Sequence, residues 1–129
     1  MKHRVTLTVT SLLSVLLFGT HWVDEISRGM ERGDLSVIGG VIILIVWSYG
    51  TLAFGDRLPG YIVMFLGGLL GMGVLYLHMK GAGIVGGRIA NTSGIFFWVW
   101  TLIALGTTST LSALLAVQGL WSMRRRQPA

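Results

Sequence analysis

The chain has 129 residues, of which 53% are hydrophobic and 12% charged, with a formal charge of +5 and no cysteine; its mean hydropathy is +0.73. Soluble domains carry about a quarter charged residues, so this composition points to lipid as the solvent, and the missing cysteines exclude disulfides, thiolate metal sites, iron–sulfur clusters and thiol nucleophiles. The positive charge excludes itself as a nucleic-acid surface by its placement: Lys2, His3 and Arg4 precede the first apolar run, and Arg124, Arg125 and Arg126 follow the last, the pattern of headgroup anchors.

Four apolar runs, at residues 5–23, 35–54, 61–77 and 94–121, read as membrane-spanning helices, for which about 20 residues suffice. The first has the charged start of a secretory signal. No small-x-small cleavage site follows, the next residues being Gly19, Thr20, His21 and Trp22, so it is expected to stay as an anchor. Helical spacing puts Thr10, Ser14, Leu17 and His21 on one side. Where this span leaves the membrane, His21, Asp24 and Glu25 stand at i, i+3 and i+4, with Arg28 one turn beyond.

Residues 55–60 are a tight turn, which makes spans two and three an antiparallel hairpin, and Pro59 sits at the start of the third, where a missing N–H costs least. In that span Gly67, Gly71, Val74 and His78 share one face. The GxxxG pair Gly67/Gly71 is expected to let a neighbouring helix come close, within the chain rather than across a dimer. The glycine-rich run 81–87 has no preceding strand and no cradle lysine, so it reads as an outer loop. Asn91, Thr92 and Ser93 offer N-cap oxygens to the fourth span. That span would reach about 42 Å if unbroken, so it is expected to tilt, kink or project. Thr101, Thr108 and Ser112 line up along it, and the hydroxyls of the run 106–110 are expected to bond back to carbonyls one turn earlier.

Orientation follows from Lys and Arg. With both termini inside, the inner segments hold Lys2, Arg4, Arg57, Arg124, Arg125 and Arg126, and the outer ones Arg28, Arg32, Lys80 and Arg88. The majority favours cytoplasmic termini in the cell (inner or plasma) membrane. The expected fold is therefore all-α, a single domain over residues 1–129: an antiparallel bundle of four transmembrane helices.

One constellation carries chemistry. His21, Asp24 and Glu25 end the first span on the side where His78 ends the third. Two imidazoles and two carboxylates at one level suit a divalent metal, a haem or a proton relay. The plainer reading is a solvated helix end with i, i+4 pairing. No nucleophile elbow, Walker or dinucleotide pattern is present. On sequence alone the leading function is a non-enzymatic accessory or interaction protein without a cofactor. Its partners are the lipid bilayer and another membrane protein or a second copy, not nucleic acid. The alternatives are a metal- or haem-binding membrane protein using His21 and His78, and a small oligomeric transporter.

Overall fold

A computed structural model describes residues 2–30, 33–80 and 92–125. The glycine-rich run 81–87, Glu31, Arg32, Arg88, Asn91 and Arg126 lie outside the described residues. Among the described residues there are four α-helices: α1 (Lys2–Ser27), α2 (Asp34–Phe54), α3 (Leu58–Lys80) and α4 (Ile95–Arg125). Each is long and apolar enough to cross a membrane.

The ends of these helices follow local chemistry. Helix α1 runs past the apolar span to Ser27 and closes on Gly29, which has φ +65°. There Met30 N donates to Glu25 O at 3.0 Å and Gly29 N to Ile26 O at 2.9 Å. These are the paired bonds of a Schellman cap, and its left-handed position favours glycine. Helix α3 begins at Leu58, so Pro59 lies in its first turn and the helix has 23 residues, longer than its apolar run. Helix α4 starts at Ile95, after Gly94 at φ +75°. The expected cap residues thus stand further upstream: Thr92 Oγ1 and the Ser93 carbonyl both accept from Arg28, each at 3.1 Å.

Helix α4 packs most extensively, against α3 and then α1, whereas α2 leans on α3 and only lightly on α1. Small residues make the close contacts. A Cβ added at Gly67 would overlap the Trp47 ring of α2, and one at Gly71 would overlap Ser109 Oγ of α4. The two glycines, although on one face of α3, therefore serve different neighbours.

The interior is layered. At one end Leu7, Tyr61, Met64 and Ala116 form an apolar cluster. The middle holds hydroxyls: Ser11 bonds Thr51 at 2.9 Å and accepts from Trp47 Nε1 at 3.0 Å, and Ser14 meets Thr108 at 3.0 Å. Thr107, Thr108 and Thr110 bond back to Ile103, Ala104 and Gly106. Imidazoles and carboxylates occupy the other end. Large apolar side chains such as Leu35, Leu52, Leu77 and Phe96 face outward. This is the reverse of a water-soluble core.

Candidate functional site

His21 lies in the last two turns of α1 and is only 1% exposed. Its Nδ1 is 3.2 Å from Thr101 Oγ1 on α4. Thr101 spends its one hydroxyl proton on the carbonyls of Phe97 and Trp98, at 2.9 and 3.0 Å. Its oxygen is left as an acceptor, so His21 Nδ1 carries the proton and Nε2 the lone pair. That Nε2 is buried and, among the described residues, has no hydrogen-bond partner.

His78, in the last turn of α3, is fixed the same way. Its Nδ1 lies 2.7 Å from the carbonyl of Val74, which can only accept. His78 Nε2 then faces Glu25 Oε1 at 2.7 Å. A lone pair on that nitrogen would point straight at a carboxylate oxygen. At this distance the contact is a hydrogen bond, with a proton between nitrogen and oxygen.

Glu25 closes the triangle. It stands one turn beyond His21, with Oε1 4.0 Å from His21 Nε2, and donor atoms from His21, Glu25 and His78 all lie within 4.8 Å of one another. The Schellman cap holds Glu25 from behind, since its own carbonyl receives the Met30 N–H.

Asp24, placed in the same constellation by sequence, points elsewhere. It receives Arg28 Nε at 2.8 Å, and Arg28 reaches on to Thr92 and Ser93, tying the end of α1 to the approach to α4. The Asp24–Arg28 pair also cancels its own charge beside the site. His3, by contrast, belongs to the opposite end of α1.

Trp98 of α4 packs on both imidazoles, with ring centroids at 4.3 Å from His21 and 5.3 Å from His78. It was not among the residues singled out by sequence. The hydroxyl stripe through Thr101 was visible there, but nothing in a single sequence says which neighbour a stripe meets.

Two imidazoles and a carboxylate are a donor set of the kind that first-row divalent ions take. In a tetrahedral site with bonds of about 2.0–2.1 Å, ligand atoms stand about 3.3 Å apart. Here the two edges to Glu25 measure 2.7 and 4.0 Å, and all three donor atoms lie within 4.8 Å of one another. Both histidines already donate Nδ1–H to an oxygen, the arrangement that orients metal-binding imidazoles. A haem iron would lie between two imidazole nitrogens about 4 Å apart; in this structure the Glu25 carboxylate contacts His78 Nε2 at 2.7 Å and the imidazole centroids are 5.2 Å apart.

Comparison of the chain with protein-family models, with curated proteins and with solved structures finds no match.

Proposed function

We propose that the chain is a four-pass membrane protein that binds one first-row divalent metal ion, of the zinc class, through His21 Nε2, His78 Nε2 and Glu25. On this reading the helices cross the bilayer up, down, up and down, with both termini cytoplasmic and the metal site near the outer face. The outward apolar side chains and the basic chain ends support the bilayer placement, because exposed leucine and phenylalanine cost nothing in hydrocarbon.

One observation carries the metal reading. His21 Nε2 is buried, has no hydrogen-bond partner among the described residues, and shares a triangle with His78 and Glu25. Leaving such a nitrogen unpaired costs about 1–3 kcal/mol; a bound ion removes that cost. The reading as an interaction protein rests on composition and leaves this nitrogen unexplained.

Protein purified in detergent and stripped with chelator is expected to take up one equivalent of Zn²⁺ or Co²⁺, measured by elemental analysis and calorimetry. Changing either His21→Ala or His78→Ala should abolish uptake, and Glu25→Gln should weaken it. Wild type that retains no more metal than the His21→Ala protein would overturn the proposal.

A further inference from the structure

A cavity of about 400 Å³ adjoins the metal triangle and is lined by α1, α2 and α3 but not by α4. Among the described residues, other sides of the triangle are occupied. Trp98 covers the imidazoles from α4, and the two Nδ1 edges are committed to Thr101 and Val74. His21, Glu25 and His78 all line the cavity, which thus offers a fourth ligand a path to the ion.

The polar groups of the cavity lie toward one end. There Ser36, His21, Glu25 and His78 line it beside Trp22 and Leu77. Phe18 and Val74, one turn deeper than His21 and His78, line the other end with Ile43; one turn is about 5 Å. The middle wall is Gly39 and Gly40 of α2. Gly40 is needed there for contact with the Trp22 ring, whereas a Cβ at Gly39 meets no atom within 4 Å. Gly39 thus leaves width that packing between helices does not require.

Charge selects the head of a ligand. A divalent ion with two neutral imidazoles and one carboxylate leaves a net single positive charge in a poorly solvated place, where an uncompensated charge is costly. A monoanionic head neutralises it, and the Asp24–Arg28 pair beside the site adds no net charge. We infer that the metal site takes a small monoanionic amphiphile, such as a medium-chain carboxylate or hydroxamate, with its head on the ion and its tail between Phe18, Ile43 and Val74. The inference rests on the metal reading above.

The test uses the full chain in a nonionic detergent, loaded with Co²⁺, whose visible spectrum reports a change of ligand. Acetohydroxamate and octanohydroxamate are the probes. Both should shift the spectrum. The longer one should bind at least about tenfold more tightly, since each buried methylene contributes roughly fourfold. Gly39→Leu should remove that advantage while Co²⁺ uptake and the acetohydroxamate response persist. Ile43→Ser, at a partly exposed position, should reduce it in the same direction and serves if the leucine variant is unstable. All variants share one micelle, so partitioning of the probe into detergent cancels.

A wild-type protein that takes up no Co²⁺ defeats the metal reading and this inference with it. Co²⁺ uptake with a spectrum that neither probe shifts overturns the open position and leaves the metal reading intact. Equal affinity for the two probes, or an advantage unchanged in both variants, overturns the tail site.

Discussion

Thr101 accepts the Nδ1–H of His21 across the α1–α4 contact at 3.2 Å while its own proton goes to the helix behind it. The bond selects which imidazole nitrogen is free, so a hydroxyl on one helix sets the chemistry of a ring on another. Thr101→Val keeps the shape and removes the acceptor. Partners that orient a metal-binding histidine contribute about 10–100-fold to affinity, and Co²⁺ titration should show a loss in that range. Thr101→Ser should restore most of it. An unchanged affinity in the valine variant would show that the tautomer is set elsewhere.

Gly71 and Gly73 lie in the same helix and differ only in what surrounds them. A methyl group at Gly71 would run into Ser109, while one at Gly73 meets nothing within 4 Å. Gly71→Ala should destabilise the bundle by about 1–3 kcal/mol, the usual range for overpacking. Gly73→Ala should be neutral or slightly stabilising, as alanine favours a helix. Thermal unfolding in detergent, followed by circular dichroism, compares the two; equal midpoints would contradict the close α3–α4 contact.

The cap at Gly29 reaches the site through the backbone. Its φ of +65° costs any residue with a Cβ about 1–2 kcal/mol, and the bond it protects holds the Glu25 carbonyl. Gly29→Ala should therefore lower both thermal stability and metal affinity. Gly29→Asn, which tolerates that conformation better, should do less of each. Hydrogen exchange at the Met30 amide gives a direct measure, and it should quicken in the alanine variant.

Reporter fusions test the topology proposed from the basic residues. Fusions at Asp56 and after Ala129 should behave as cytoplasmic, and those at Glu31 and Gly86 as external. An external signal from the C-terminus would reverse the frame and bring the proposed metal site to the cytoplasmic side.

The four helices were legible because apolar runs of this length have few other solutions, and their ends departed from the runs where polar chemistry took over. Lys2 to Arg4 and Asp24 to Ser27 are helical although polar, and Leu58 starts α3 ahead of its proline. The pairing of His21 with Glu25 could be read from i, i+4 spacing. What single-helix spacing cannot supply is the rotation of each helix in the bundle. Asp24 and Glu25 are neighbours in sequence, yet Asp24 turns to Arg28 and Glu25 to His78. Trp98 packs over both imidazoles because α4 presents that face inward, a rotation that spacing within α4 does not reveal.

Helix α4 buries Thr101, Ser109 and Ser112 and turns Leu111, Leu114 and Val117 outward. Two demands on its sequence then pull apart. Delivery of a segment into hydrocarbon rewards greasier residues at every position, whereas its fit against Gly68 and Gly71 rewards small ones whatever their polarity. On the proposed membrane placement, a change such as Ser109→Leu would ease the entry of α4 into the bilayer and spoil its packing there. Along the buried face of α4 the fold thus constrains side-chain volume more tightly than hydrophobic character.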